Sequence, residues 1–335
     1  MPIEFSLDNA LREIKKRKAK LVLVQLPEGL KTRADEILQE IEQCTSAKAV
    51  LHAEPCFGAC DLAEADAKAL GADLVLHMGH ARIPNIKSAL TIFVPVRYGV
   101  GKKTLENVAQ KIKKQKFGKV ALCATVQYVH ILPLLRKALA RADVKAFIGK
   151  GGARIAEKGQ VLGCDCSAVR AVEERADAIV FVGDGMFHPL GIYYGMKKSM
   201  PVLLVNPEGK VTVKALAQER DKFIRQRFGA IARAKSAGKF GIIMSSKAGQ
   251  ARRALALRTR ELLEAKGRKA ILLSAGHVRE DYFAGMGIDC FVSTACPRLA
   301  LDDGLNWKKP VITFPELEIV LGKRAPEKYE FDMLG

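Results

Sequence analysis

A chain of 335 residues is long enough for two or three hydrophobic cores and too long for a small scaffold stapled by disulfides. With 49% hydrophobic and 27% charged residues spread evenly, its composition excludes intrinsic disorder, and no apolar run reaches the length of a transmembrane helix. The formal net charge of +19 suits an anionic partner, whether nucleic acid, a ribonucleoprotein surface or an acidic protein, without choosing among them.

The N-terminal stretch from Met1 to Lys20 is charged and amphipathic and lacks the apolar segment of a signal peptide, so the cytoplasm is the expected compartment and no membrane is expected as a partner. Thiols stay reduced there. That turns the eight cysteines from disulfide candidates into candidates for metal or redox chemistry. Basic runs such as Lys15-Lys16-Arg17-Lys18 and Lys111-Ile112-Lys113-Lys114 have apolar neighbours at helical spacing, which marks them as outer faces of helices. No stacking-aromatic motif accompanies them, so direct nucleic-acid binding is not expected.

Leu21 to Val24 is a short apolar run that reads as a buried strand, followed by helical periodicity over Ala34 to Glu42 and a second strand over Ala47 to Leu51. Ala72-Asp73 then introduces Leu74-Val75-Leu76, and Ile92 to Val96 closes the set. The same succession recurs as Val120 to Ala124, Ile131 to Ala142, Val144 to Ile148, Ala178 to Val182 after Ala176-Asp177, and Pro201 to Val205. It recurs again as Phe240 to Met244, Ala251 to Ala265, Lys269 to Leu273, Cys290 to Val292 after Ile288-Asp289, and Pro310 to Phe314. Continuous apolar strands separated by helices predict parallel sheets covered on both sides. The fold class is therefore α/β, with three homologous domains over 1–117, 118–237 and 238–335, each of about 110 residues. A repeat of this length is too long for a solenoid and predicts a pseudo-threefold triangle around a central site.

Ligand sites in such sheets lie beyond the carboxyl ends of the strands. One cysteine of each repeat stands there: Cys60 in Gly58-Ala59-Cys60-Asp61, Cys164 in Gly163-Cys164-Asp165, and Cys296 in Thr294-Ala295-Cys296-Pro297. Taken alone, any of them reads as a small buried hydrophobe, but repetition at matching places favours three soft thiolates on one zinc ion or iron–sulfur cluster. Cys56 and Cys166 are the nearest substitutes, Cys44 lies in a loop, and Cys123 and Cys290 belong inside apolar strands. The pairs Cys56/Cys60 and Cys164/Cys166 lack zinc-ribbon spacing, and Ala63 stands where a compact three-cysteine radical motif would need its last cysteine. His77 and His80 could form a zinc pair, but no further ligand accompanies them at a suitable spacing. Gly99-Val100-Gly101-Lys102-Lys103-Thr104 resembles a phosphate loop with the wrong spacing.

Gly58-Ala59-Cys60-Asp61, Gln160-Val161-Leu162-Gly163-Cys164, Asp184-Gly185-Met186-Phe187-His188-Pro189-Leu190-Gly191 and Thr294-Ala295-Cys296-Pro297-Arg298 occur in this order across nearly the whole chain. Together they resemble the archaeal diphthamide-biosynthesis enzymes, the 2-(3-amino-3-carboxypropyl)histidine synthases. The resemblance implies an atypical radical enzyme, homodimeric, with a 4Fe-4S cluster held by Cys60, Cys164 and Cys296 and S-adenosylmethionine bound at the open iron. It also implies an electron donor, and as protein substrate translation elongation factor 2, whose histidine receives the 3-amino-3-carboxypropyl group as methylthioadenosine leaves. Arg298, two residues after Cys296, is a candidate anchor for the methionine carboxylate, against a plain surface arginine. Asp184, His188 and Gln25 follow strands and are further candidates to face the cofactor, against local roles as a turn cap, a packed histidine and a strand-end amide. A quinolinate-synthase-like dehydratase has the same three-domain, three-cysteine plan and remains the alternative enzyme; a basic RNA- or ribosome-binding protein with structural cysteines is the alternative outside enzymes.

Overall fold

The computed structural model describes residues 3–206, 209–212 and 214–334, so the outermost residues of the first and third expected repeats fall outside the description. Cα proximity groups the chain into two units, one of Met1–Val161, Ser167–Gly183 and Val205–Val211, the other of Leu162–Cys166, Asp184–Leu204 and Thr212–Gly335.

The chain opens with β1 (Ile3–Glu4), which pairs antiparallel with β6 (Arg97–Tyr98). Between them lies a parallel sheet of β2 (Leu21–Gln25), β3 (Lys48–His52), β4 (Leu74–Met78) and β5 (Thr91–Val94), in the order β3-β2-β4-β5. It is joined by α1 (Asp8–Lys16), α2 (Ala34–Cys44) and α3 (Glu64–Ala69). Val22 and Val24 pack on Ile14, Ile37 and Ile41, while Leu23 and Val75 pack on Ala63 and Ala67. Successive residues of one strand thus meet apolar cover on opposite faces, which is why the run is apolar throughout rather than alternating. Each such side chain stabilises the sheet by about 1.5–3 kcal/mol.

The second sheet holds β7 (Lys119–Ala124), β8 (Lys145–Phe147), β9 (Ala178–Val182), β10 (Val202–Val205) and β11 (Val211–Thr212), in the order β11-β10-β9-β7-β8. Its helices are α4 (Lys102–Lys113), α5 (Leu132–Arg141), α6 (Ser167–Arg170) and α7 (Phe187–Gly195). The third has β12 (Lys239–Ser245), β13 (Lys269–Ala275), β14 (Cys290–Ser293) and β15 (Val311–Thr313), all parallel, in the order β13-β12-β14-β15. With it go α8 (Lys214–Lys235), α9 (Arg253–Glu264), α10 (Pro297–Leu301) and α11 (Phe314–Val320). In each of the three larger sheets the strand that comes first in the chain lies between the second and the third. That order creates a switch point at its carboxyl end, where open α/β sheets take ligands.

The aspartate that introduces the third strand of each repeat does the same work three times. Asp73 Oδ2 accepts from the backbone N–H groups of Lys20 (2.7 Å) and Leu21 (3.0 Å). Asp177 Oδ2 accepts from Lys119 N–H (3.1 Å), and Asp289 Oδ2 from Gly238 and Lys239 N–H (3.0 and 2.9 Å). In return the N–H of each aspartate donates to the carbonyl of Leu21, Lys119 or Lys239. The carboxylate therefore satisfies donors that the opening of a strand leaves bare and pins the third strand beside the first. Those N–H donors hold Asp73 and Asp289 below the ordinary carboxyl range.

The basic runs lie on outer helix faces: Lys15, Lys16, Arg17 and Lys18 are exposed at the end of α1, and Lys111 and Lys113 are exposed on α4 around buried Ile112. No helix among the described residues is long and apolar enough to cross a membrane.

Candidate metal centre and cofactor cavity

Cys60 sits in the loop that leaves β3. The N–H of Asp61 donates to the carbonyl of Gly58 (2.9 Å), closing a turn around the thiol. Gln25, the last residue of β2, holds that turn in place from below. Its side chain is 1% exposed; its Nε2 donates to the Asp61 carbonyl (2.8 Å), and its Oε1 accepts from Ala63 N–H (3.2 Å). A third partner, His77 Nδ1, lies 2.8 Å from the same oxygen. The carboxamide named above as a candidate to face the cofactor is thus committed to fastening the loop that carries Cys60.

Cys164 lies in a tight turn in which Leu162 and Asp165 exchange backbone hydrogen bonds of 2.9 and 3.1 Å, and its carbonyl accepts from Leu334 N–H at 2.8 Å. Two glycines set how closely α7 approaches this turn. A Cβ on Gly163 would lie 2.0 Å from the Phe187 ring, and one on Gly191 would lie 2.4 Å from the carbonyl oxygen of Gly163. The first clash falls on a side chain that can rotate. The second falls on backbone and can be relieved only by moving the helix or the turn. Gly191→Ala is therefore expected to cost about 1–3 kcal/mol and to lower iron uptake, whereas Gly229→Ala, where an added Cβ meets no atom within 4 Å, should be neutral or stabilising by up to about 1 kcal/mol. Thermal unfolding and iron analysis of the two variants check this; equal behaviour would show that the close contact is unimportant.

Cys296 is the N-cap of α10, with Pro297 starting the helix. Ser293 Oγ donates to the Cys296 carbonyl (3.2 Å). The segment before the thiol is clamped by Arg252, whose Nε donates to the Thr294 carbonyl (3.0 Å) and Nη2 to the Ala295 carbonyl (2.9 Å). Asp332 grips the same guanidinium through both oxygens, at 2.7 and 2.6 Å. Sequence reasoning missed Arg252 and Asp332 because the groups they join are 42 to 80 positions apart and no motif marks them.

The eight cysteines separate by exposure. Cys60, Cys164 and Cys296 are half-buried; Cys56, Cys123, Cys166 and Cys290 are buried; Cys44 is exposed. Cys123 lies within β7 and Cys290 within β14, and burial pushes the Cys290 thiol up, away from the thiolate a metal needs. The three half-buried thiols stand in turns at sheet ends rather than in a core. As a donor set they fit an iron–sulfur cluster, which requires thiolate ligands that are shielded but not packed over.

A cavity of about 450 Å³ adjoins two of these segments. Asp184, Met186, Phe187 and His188 line it from the loop after β9 and the start of α7, Arg298 and Asp302 from α10 and its end, and Phe223 and Phe331 from the aromatic side. Three residues singled out from sequence, Asp184, His188 and Arg298, thus share one cavity; Gln25 belongs to the first sheet instead. The Arg298 guanidinium is partly exposed, 2.9 Å from Asp302 Oδ2 and stacked over Phe187 at 5.9 Å. Burial, reinforced by Arg298, drives the His188 pKa down to about 4, so near neutral pH its imidazole is uncharged and the cations of the cavity are Arg298 and Lys222. An arginine near carboxylates, beside apolar and aromatic surface, suits a zwitterionic amino-acid head on a larger flat ligand.

The chain matches the diphthamide synthesis protein family over residues 26–330. It is 38% identical over 331 residues to the 2-(3-amino-3-carboxypropyl)histidine synthase of Pyrococcus horikoshii, covering 98% of this chain and 93% of that one. The protein of the same name from Methanocaldococcus jannaschii is 32% identical, over 93% of this chain and 86% of its own. The crystal structure of Dph2 from Pyrococcus horikoshii with a 4Fe-4S cluster superposes with a TM-score of 0.87 at 37% identity, over 99% of this chain and 94% of that chain.

Proposed function

The chain belongs to the diphthamide synthesis protein family, and on that premise we propose that it is a 2-(3-amino-3-carboxypropyl)histidine synthase that modifies a histidine of translation elongation factor 2. Cys60, Cys164 and Cys296 hold its 4Fe-4S cluster, one from each of the repeats 1–117, 118–237 and 238–335. The observation that carries this assignment is that these three, and no other cysteine, are half-buried in braced turns at sheet ends. When bound and reduced, the cluster supplies one-electron cleavage of the bond from the sulfonium to the γ-carbon of S-adenosylmethionine, yielding a 3-amino-3-carboxypropyl radical and methylthioadenosine.

The remaining work falls to the protein. Arg298 binds the methionine carboxylate with a charge-assisted hydrogen bond, and Asp184 offers an acceptor for the α-ammonium. Uncharged His188 lines the same wall without competing for the carboxylate. Phe187 presents an apolar face that limits water around the reacting carbon. Gln25 acts at one remove, by holding the Cys60 turn. The target histidine of the protein substrate must enter this space, and the strongly basic chain favours its approach by an acidic surface. The working form is a homodimer supplied by a separate electron donor, in the cytoplasm where elongation factor 2 acts.

The test is direct. Iron-reconstituted protein, reduced under anaerobic conditions with S-adenosylmethionine, is expected to release methylthioadenosine and, with elongation factor 2 present, to add the 3-amino-3-carboxypropyl mass to one histidine. A fully iron-loaded, reduced preparation that leaves S-adenosylmethionine intact would overturn the reading.

A further inference from the structure

Beyond the three cysteines assigned above, a second group of soft donors gathers at the switch point of the first sheet. β4 ends in His77 and Met78, and Gly79 then turns with φ +84°. A Cβ on Gly79 would come within 2.9 Å of Pro27, so the turn is tight as well as left-handed. It folds His80 back until its Nδ1 is 2.9 Å from His77 Nε2. The Sγ of Cys56, in the loop from β3, joins them: the donor atoms of Cys56, His77 and His80 all lie within 4.8 Å of one another.

We propose that Cys56, His77 and His80 form a mononuclear site for a divalent cation of the zinc class, distinct from the site of Cys60. A tetrahedral zinc, with bonds of about 2.3 Å to sulfur and about 2.0 Å to nitrogen, needs such donors roughly 3.3–3.5 Å apart. The two imidazole nitrogens, 2.9 Å apart, would have to open by a few tenths of an ångström to take the metal, and no donor pair of the three, at under 4.8 Å, would have to close by more than about 1.5 Å. One thiolate and two imidazoles are the donors zinc and its neighbours prefer, and they leave a fourth position for water.

The orientation of His77 supports the assignment independently. The oxygen of the Gln25 carboxamide can only accept, so the 2.8 Å contact places the proton of His77 on Nδ1 and its lone pair on Nε2, facing His80. A histidine whose outer N–H is held by a fixed acceptor while the other nitrogen faces a ligand cluster is the usual arrangement around a protein metal. The site would tie the loop bearing Cys56 and Cys60 to the end of β4, alongside the Gln25 hydrogen bonds. Sequence spacing concealed it, because the thiol and the imidazoles come from separate strand ends and match no zinc motif.

Full-length protein in which Cys60, Cys164 and Cys296 are all alanine, so that no cluster competes, is titrated with Co²⁺. The expected result is saturable binding of one equivalent, with tetrahedral ligand-field bands and a thiolate-to-cobalt charge-transfer band, all displaced by Zn²⁺. In the same background Cys56→Ala and His80→Gln should weaken Co²⁺ binding at least tenfold, and Cys56→Asp should retain a tetrahedral spectrum while losing the charge-transfer band. Circular dichroism of each metal-free variant reports its folding, and the Cys56→Asp spectrum decides the matter if Cys56→Ala does not fold. No saturable Co²⁺ binding in the parent, or a charge-transfer band that survives both replacements of Cys56, would overturn the proposal.

Discussion

Alanine in place of Cys60, Cys164 or Cys296, one at a time, is expected to reduce methylthioadenosine release to background and to strip most of the iron from anaerobically purified protein. The physical reason is that each thiolate would supply one of only three protein bonds to the cluster, and an alanine methyl offers neither a ligand nor a charge in its place. The loss should appear in the electron paramagnetic resonance signal of the reduced protein as well as in turnover, which separates loss of the cluster from loss of substrate binding. Cys44→Ala, which alters an exposed thiol, should leave both unchanged. The informative comparison is with Cys166→Ala, because Cys166 is two positions from Cys164 yet only 1% exposed. A Cys166 variant that loses the cluster, beside a Cys164 variant that keeps it, would move the assignment by those two positions.

The second large effect is expected far from any cysteine. Arg227 and Glu316 are 1% and 0% exposed, and they meet through two bonds of 2.8 and 2.6 Å. The guanidinium also donates to the carbonyls of Ala300 (2.7 Å) and Val311 (2.8 Å), and Tyr329 donates its hydroxyl to Glu316 (3.0 Å). Glu316 also caps its own helix, accepting from Thr313 N–H at 2.8 Å. Glu316→Gln leaves a buried guanidinium without its counter-charge, and should destabilise this part of the protein by about 3–5 kcal/mol, read as a lower denaturant midpoint. Arg227→Met combined with Glu316→Leu removes both charges at once and should recover much of that loss. A single variant as stable as the parent would show that the pair is not the anchor it resembles. Because Ala300 lies in α10 with Arg298, Glu316→Gln should also weaken S-adenosylmethionine binding.

The sheets were legible in the sequence because what makes them is local. An apolar run, a helix at the 3.6-residue period and an Ala-Asp or Ile-Asp pair recur three times, and each run lies within a few residues of the strand it predicts. The cysteines of interest could be named because a strand end is itself a local feature. What was hidden depends on partners distant in the chain. Arg227 lies on a helix rich in charge, where composition suggests a solvated position, and its counter-charge is 89 residues away. Arg252 finds its acceptors 42 and 43 positions on, and Asp332 is 80 away. Gln25 illustrates the same limit from the other side: a polar residue closing an apolar strand announces that something polar is near, but not whether it is a cofactor or, as here, the backbone of a loop 36 positions on.

The aspartates that open the third strands bear on ancestry. Asp73, Asp177 and Asp289 each fasten the first strand of their own sheet by the same pair of atoms, although the apolar residues around them differ from copy to copy. Hydrophobic residues can be exchanged for others of similar volume, but a carboxylate that receives backbone donors has no such equivalents. Successive duplication of a single strand–helix–strand gene segment would leave this trace: cores that have drifted apart around one inherited polar stitch.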